Sequence, residues 1–239
     1  MNNDQFLKEY ARCPQCCSSK LDWQDDQIHC QACDVTYTYL RGRPVLMNED
    51  SRALIADELN GDTGNAMQAE YLSIEQQSTE QEKTGFSLKK LITPPDIFYY
   101  PNPDLQAPET KMIFDHQGED TKILNVGGGP IRYGNEISLN LQPFVNVNVV
   151  ADAHNIPFED NCFDSIICNA VLEHVPNPQC VVDEFVRVLK PGGFVYVEVP
   201  FLFFYHGYPN DYHRFTQHGL KNMLPNLQTV EFGITQGPV

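Results

Sequence analysis

The sequence has few basic residues, one tryptophan and no long hydrophobic run. Lysine and arginine together number 16 against 32 acidic residues, which gives a net charge of −16. This balance argues against broad, nonspecific attraction to nucleic acid or to anionic lipid. No apolar run approaches the roughly 18 residues that span a bilayer, and the opening MNNDQFLKEYARC lacks the apolar segment of a signal peptide. We therefore expect a cytoplasmic protein without a membrane span.

The chain length and the hydrophobic content suffice for one domain of ordinary size and a small module. Hydrophobic residues make up 41% of the 239 positions, with 14 Phe and 11 Tyr, enough for a substantial core. Composition divides the chain into a cysteine-rich module at 1–48, an acidic linker at 49–95 and a main domain at 96–239. Within these we predict a linker helix at 65–77. The proline-rich stretch at 92–108 is either an ordered strap or a mobile lid, and its consecutive aromatic residues favour the strap.

Four of the eight cysteines form two C-x2-C pairs, Cys13 with Cys16 and Cys30 with Cys33, separated by thirteen residues. Such knuckles direct four thiolates to one tetrahedral zinc ion. A module this small hardly folds on apolar burial alone, so zinc would contribute on the order of 10 kcal/mol. Redox-active cysteines are the alternative. Cys17 could replace Cys16, but Cys16 completes the spacing. The remaining cysteines are expected in the core: Cys162, Cys168 and Cys180.

The module also resembles a known family. The segment CPQC…KLDW…IHCQACDVTYTYLRGRPVLM is similar to the small zinc-binding module of the Trm112 family, over residues 13–47. In that family an aromatic strand follows the second knuckle, and the segment ends in a motif like the one at 41–46. The module there is a partner or fused accessory of methyltransferases, so the resemblance implies a supporting role.

Beyond residue 120 the chain alternates apolar runs with a helical pattern. The runs lie at 123–126, 145–150, 163–168 and 193–199, and a helix is predicted at 178–190, ended by Pro191-Gly192-Gly193. Alternating strands and helices indicate an α/β fold with a doubly wound parallel sheet. Ligands bind beyond the carboxyl ends of such strands, and the first run ends in a glycine turn, KILNVGGGP.

Motifs between residues 123 and 200 resemble the class I S-adenosylmethionine-dependent methyltransferases: ILNVGGGP, ADAHNIPFEDNCFD, VLEHV and RVLKPGG. The resemblance implies a Rossmann-like methyltransferase fold with S-adenosylmethionine as cofactor. It also implies site residues. Gly127 and Gly129 would lie against the methionine and ribose, Asn140 would face the ribose hydroxyls, Asp152 with the Ala153 backbone would hold the adenine, and Asn169 would border the reacting centre. Asp152 could instead cap a turn.

The sequence departs from that family at three positions of the cofactor motifs. Asn125 and Asn140 stand where acids are usual, and Ile131 occupies the third glycine position. A hydrogen bond to a carboxylate contributes about 1.5–3 kcal/mol and a neutral one about 0.5–1.5 kcal/mol, so we expect weakened cofactor binding. Asn140 also follows Gly127 by only thirteen positions, too few for a full crossover helix. The glycine-turn amides would then make most of the cofactor contact.

Candidate catalytic residues follow the fifth strand of the domain, in residues 203–216. Methyl transfer is a direct displacement, so a base is needed only if the acceptor begins as a hydroxyl or a protonated amine. His206, Asp211 and Arg214 are the candidates. Alternatively, Asp211 and Arg214 form a structural ion pair and His206 is a turn residue. His174 is expected to be structural.

The tail resembles a subset of bacterial methyltransferases associated with cell-surface glycan synthesis, which implies a small-molecule or glycan acceptor methylated at a hydroxyl. The alternatives are a noncatalytic binding partner with a weakened cofactor site, and a methyltransferase of tRNA or protein. The ending VEFGITQGPV supplies a sixth strand but not a seventh, as in a truncated form. An open sheet edge would favour a homo-oligomer.

Overall fold

The computed structural model describes residues 1–54, 121–129, 134–207 and 210–234. Three sequence predictions therefore lie outside the described residues: the helix at 65–77, the strap at 92–108 and the role of Ile131. None of the helices in the described ranges is long and apolar enough to cross a membrane.

The N-terminal part consists of one helix and a small antiparallel sheet. Helix α1 (Asn3–Tyr10) begins with a capping box, in which the Asn2 side chain accepts from the Gln5 amide and Gln5 accepts from the Asn2 amide. The sheet has the order β1-β2-β3-β4. Its strands are β1 (Leu21–Trp23), β2 (Gln27–Cys30), β3 (Thr36–Leu40) and β4 (Arg43–Pro44). A short helix, α2 (Glu49–Leu54), follows.

The main sheet has five parallel strands in the order β7-β6-β5-β8-β9. They are β5 (Ile123–Val126), β6 (Ile137–Asn140), β7 (Val149–Val150), β8 (Phe163–Asn169) and β9 (Leu189–Glu198). This α/β architecture with a parallel sheet confirms the predicted fold class. The chain builds the sheet from β5 towards β7 and then returns to add β8 and β9. The switch point therefore lies between the carboxyl ends of β5 and β8, where such sheets bind ligands.

The crossover from β8 to β9 contains helix α3 (Pro178–Val188), which begins with Asn177 as a cap and Pro178 in its first turn. Its buried residues form one stripe against the sheet: Val181, Val182, Phe185 and Val188. The predicted helix was two residues too long, because Leu189 already pairs with Phe163 in the sheet. The predicted strand accordingly began too late, since β9 includes the Pro-Gly-Gly segment.

The C-terminal part departs further from the sequence prediction. Helix α4 (Gln217–Met223) is capped by the Thr216 side chain. Within the described tail, residues 224–234 form no strand, so the predicted sixth strand was wrong for this part. A strand requires a neighbouring backbone to pair with, and none of the described strands runs beside these residues.

The N-terminal part is packed onto the main sheet and shares its core. The Leu46 amide donates to the Val150 carbonyl at 2.9 Å, which extends the β7 edge of the sheet. The Phe6 ring lies 5.2 Å from the Phe163 ring and 6.1 Å from that of Phe158. One continuous cluster of buried side chains joins these residues to the sheet. Folding of the cysteine-bearing segment is therefore coupled to that of the main domain.

This shared core predicts a large effect of a small change in α1. Phe6→Ala is expected to lower the free energy of unfolding by about 3–5 kcal/mol, because it leaves a cavity between helix and sheet. The matched control is Lys8→Ala on the exposed face of the same helix, with a change within about 0.5 kcal/mol. Urea denaturation measures both. Equal effects of the two substitutions would show that the helix does not share the core.

Candidate functional site

Two C-x2-C turns bring four sulfur atoms together beside β2. Their Sγ atoms all lie within 4.8 Å of one another, with 3.6 Å between Cys13 and Cys33 and 3.6 Å between Cys16 and Cys30. Four thiolates around zinc at about 2.3 Å are separated by about 3.8 Å, so the cluster is compatible with a structural zinc ion. Cys17 is exposed and outside the cluster.

The four thiols differ in acidity. Burial raises the pKa of the Cys30 thiol, but hydrogen bonds from the backbone amides of Ala32 and Cys33 and from neighbouring thiols lower that pKa to about 7, whereas burial raises the pKa of the Cys33 thiol to about 12. The Cys13 sulfur lies 2.9 Å from the buried Tyr37 hydroxyl. Hydrogen bonds of this kind orient the side chains that bind the metal in metal sites.

The glycine turn after β5 is fixed by its neighbours. Gly127 has a φ of +74°, and a Cβ there would lie 2.2 Å from Cγ2 of Val171, so only glycine fits. The amides of Gly127 and Gly128 both donate to the Leu139 carbonyl, at 2.8 and 3.2 Å. At Gly129, by contrast, a Cβ would meet nothing within 4 Å among the described atoms. Two of the amides expected to contact a cofactor are therefore bonded internally, whereas none of the described atoms fills the space beside Gly129.

Two polar side chains lie buried beneath the turn. Asn125 in β5 is 3% exposed, and Ser138 in β6 is also buried. Neither the Asn125 Nδ2 nor the Ser138 Oγ has a hydrogen-bond partner in the described part of the chain. Both atoms border the space above Gly128, where an added Cβ would lie 2.1 Å from the hydroxyl and 3.1 Å from the amide nitrogen. Unpaired buried polar atoms are rare and tend to mark functional positions.

Asn140, at the end of β6, holds the turn in place. Its Nδ2 donates to the Gly128 carbonyl at 2.9 Å, and its Oδ1 accepts from the Gln142 amide at 2.8 Å. The Asn140 Oδ1 has a second lone pair, which could still accept from a ribose hydroxyl. The contact of Asn140 with the ribose stays a prediction.

Asp152 follows β7 and uses both carboxylate oxygens within the protein. Oδ1 accepts from the backbone amide of His154 and lies 2.7 Å from its Nδ1, while Oδ2 accepts from the Ser51 hydroxyl at 2.6 Å. Burial raises the pKa of this carboxyl, but the hydrogen bonds from His154 and Ser51 have the larger combined effect. The pKa of Asp152 is therefore below its usual value. Asp152 also caps the short 3₁₀ turn that begins at Ala153. The adenine contact predicted for both residues remains a prediction.

The predicted cofactor residues nevertheless share one edge of the sheet. Gly127 and Asp152 follow the carboxyl ends of β5 and β7, while Asn140 ends β6 and Asn169 ends β8. Because the strands are parallel, these ends meet at a single edge.

The loop after β9 contains the predicted catalytic residues in a tight network. Arg214 donates through both terminal nitrogens to the Asp211 carboxylate, whose side chain is 2% exposed. Asp211 Oδ2 also accepts from the His206 amide at 2.9 Å. The Arg214 guanidinium, above all, holds the pKa of Asp211 far below its usual value. This arrangement is the structural ion pair considered from the sequence, and it makes Asp211 a weak proton acceptor.

Sequence reasoning missed Glu173, a fully buried acid in the 3₁₀ turn (Leu172–His174) after β8. Its backbone carbonyl accepts from the amides of Tyr212 and His213, which ties the turn to the loop. Its carboxylate lies 3.5 Å from the His206 Nε2 and 3.7 Å from the His174 Nε2. Burial raises the pKa of the Glu173 carboxyl to about 7. The signal in the sequence is a single acid within the apolar stretch NAVLEHV.

Comparison with known proteins finds methyltransferases. Residues 133–197 match a family described as "Methyltransferase domain". A ubiquinone/menaquinone biosynthesis C-methyltransferase of Brucella canis is 36% identical over 87 residues, which cover 34% of this chain and 32% of that protein. A ubiquinone biosynthesis O-methyltransferase of Pectobacterium carotovorum is 33% identical, covering 34% of each chain. The chain thus spans about a third of the length of these relatives.

Among solved structures, a SAM-dependent methyltransferase of Methanosarcina mazei aligns with a TM-score of 0.39 at 18% identity, over 48% of this chain and 82% of that one.

The cysteine cluster predicts one tightly bound zinc per chain, retained on dialysis. Cys16→Ser is expected to lose the ion and to lower the unfolding temperature, because three thiolates bind zinc less well than four. Cys17→Ser, its neighbour outside the cluster, is the matched control and should keep both the metal and the stability. Elemental analysis and thermal unfolding measure the two quantities. Zinc-free wild-type protein, or equal losses in both variants, would contradict the assignment.

Proposed function

We propose that this chain is an S-adenosylmethionine-dependent methyltransferase. The observation that carries the proposal is the meeting of Gly127, Asn140, Asp152 and Asn169 at the carboxyl edge of a parallel sheet, within a chain that matches a methyltransferase domain over 133–197. Among the described residues, no atom lies within 4 Å of a Cβ at Gly129 and the Asn125 Nδ2 beneath the turn has no partner, which fits a ligand that lies across the turn. When bound, the cofactor would supply the methyl group.

The acceptor side of this proposed site is the face formed by the turn at 172–174 and the loop after β9. We place His206 and Glu173 there, and we assign Asp211 and Arg214 as positioning residues because they bond to each other and to the loop backbone. The relatives are named for O- and C-methylation. A small-molecule or glycan hydroxyl remains our proposal for the acceptor, and the N-terminal part would support the sheet edge.

A noncatalytic binding partner is the second candidate. It is favoured by the occupation of both Asp152 oxygens by Ser51 and His154, and by the amides at 125 and 140. Isothermal titration with S-adenosylmethionine separates the two candidates. Saturable binding at one site per chain supports the methyltransferase, whereas no heat of binding at millimolar cofactor favours the noncatalytic partner.

Two substitutions at the strand ends test which side chain contributes more to cofactor binding. Asp152→Ala is expected to raise the dissociation constant about 10–100-fold, since a charged hydrogen bond contributes about 1.5–3 kcal/mol. Asn140→Ala should raise it less than about tenfold, because its contact is neutral. Ser51→Ala controls for the loss of the internal bond to Asp152. Equal or reversed effects in the titration would show that the motif assignment is wrong.

The glycine turn offers a second test, which separates cofactor contact from folding. Gly129→Ala is expected to weaken cofactor binding while leaving the free energy of unfolding within about 0.5 kcal/mol of wild type, because the added methyl group meets none of the described atoms within 4 Å. Gly127→Ala should instead destabilise the fold, since its methyl group would overlap Val171. Titration and urea denaturation measure the two effects. Unchanged affinity in Gly129→Ala would place the cofactor away from the turn.

A further inference from the structure

Three potential ligand atoms converge at the carboxyl edge, apart from the cysteine cluster. A carboxylate oxygen of Glu173 and the ring nitrogens of His174 and His206 lie within 4.8 Å of one another. The turn after β8 provides the first two residues, and the loop after β9 provides the third. The two imidazole rings meet edge to face, with 4.9 Å between their centroids.

Hydrogen bonds orient both imidazole rings. The His174 Nδ1 lies 2.7 Å from the Asn210 carbonyl oxygen, and the His206 Nδ1 lies 3.1 Å from that of Phe204. A carbonyl oxygen only accepts, so these contacts place the hydrogen on each Nδ1. At His206 a terminal nitrogen of Arg214 also lies 3.4 Å from Nδ1, farther than the Phe204 oxygen. In the neutral rings each Nε2 then has a lone pair, and both Nε2 atoms lie near one oxygen of Glu173. Histidine ligands of metals characteristically donate their other ring N–H to such a carbonyl.

Glu173 lacks the partners that a buried carboxylate needs. The residue is fully buried, and neither of its oxygens has a hydrogen-bond donor among the described residues. The distances of 3.5 and 3.7 Å to the two Nε2 atoms exceed the roughly 2.7–2.9 Å of a charge-assisted hydrogen bond. They are close to the spacing of about 3.4 Å between two ligands that each lie about 2.1 Å from one tetrahedral ion.

We propose that Glu173, His174 and His206 form a second metal site, for a divalent first-row transition ion. Two imidazole nitrogens and one carboxylate oxygen suit zinc, cobalt, iron or nickel, whereas calcium and magnesium prefer oxygen ligands alone. Three protein ligands leave at least one position open, as in catalytic rather than structural sites. The Asp211–Arg214 ion pair holds the His206 backbone in place.

The site lies on the proposed acceptor side, because Glu173 follows Asn169 by one short turn. An oxygen of the acceptor could occupy the open position, where the ion would lower the pKa of a hydroxyl. This role rests on the proposed function. Ion binding itself does not, so it can be tested without a methylation assay.

Cobalt titration of protein that already holds zinc on its four cysteines tests the site. One further Co²⁺ per chain is expected to bind with visible d–d absorption and without a thiolate-to-cobalt charge-transfer band. Glu173→Gln and His206→Ala should each weaken this binding at least about tenfold. His218→Ala, an exposed histidine in α4, is the matched control and should bind as wild type does. Circular dichroism checks the fold of each variant.

Proton NMR of the wild-type cobalt complex gives a readout that needs no variant. Two exchangeable, paramagnetically shifted resonances are expected, from the Nδ1 hydrogens of His174 and His206. Their absence would overturn the proposal, as would cobalt binding that persists unchanged in Glu173→Gln and His206→Ala or that produces a thiolate band. If cobalt binds as expected but no methyl transfer occurs, the metal site stands and the proposed function fails.

Discussion

The packing of Phe6 against Phe158 and Phe163 joins the N-terminal part and the parallel sheet into one core. The Leu46 amide adds a backbone hydrogen bond to the exposed edge of β7, so that edge is covered rather than left open. The cysteine cluster therefore stabilises more than its own small sheet. An interaction that holds the four sulfur atoms together would therefore also support β7, the strand that precedes Asp152.

Several of the buried polar atoms that lack partners among the described residues lie towards the carboxyl edge of the sheet. Asn125 and Ser138 lie beneath the glycine turn, and Glu173 lies beneath the loop after β9. Such groups cost free energy in a folded protein unless something binds to them. Their position at the carboxyl ends of β5, β6 and β8 agrees with the side on which parallel sheets bind ligands. The edge thus has one region suited to a cofactor and another suited to a cation.

The sequence was informative where structure is decided locally. The spacing of Cys13, Cys16, Cys30 and Cys33 anticipated their convergence, and the run ILNVGGGP anticipated a buried strand with a glycine turn. Contacts between distant residues were not accessible in this way. Ser51 bonds to Asp152 across 101 positions, and no local pattern indicates that pairing. The start of β9 at Leu189 likewise depends on its pairing with Phe163.

His206, Asp211 and Arg214, the predicted catalytic residues, show why the residue types of a polar motif do not indicate what each residue does. Asp211 accepts from the His206 amide, and Arg214 donates to the Phe204 carbonyl, which also receives the His206 Nδ1 hydrogen. The ion pair therefore helps to set the orientation of the imidazole. Because positioning residues and reacting residues are equally polar, sequence alone groups them together. Only the directions of their hydrogen bonds separate the histidine, whose ring faces Glu173, from the pair that holds it there.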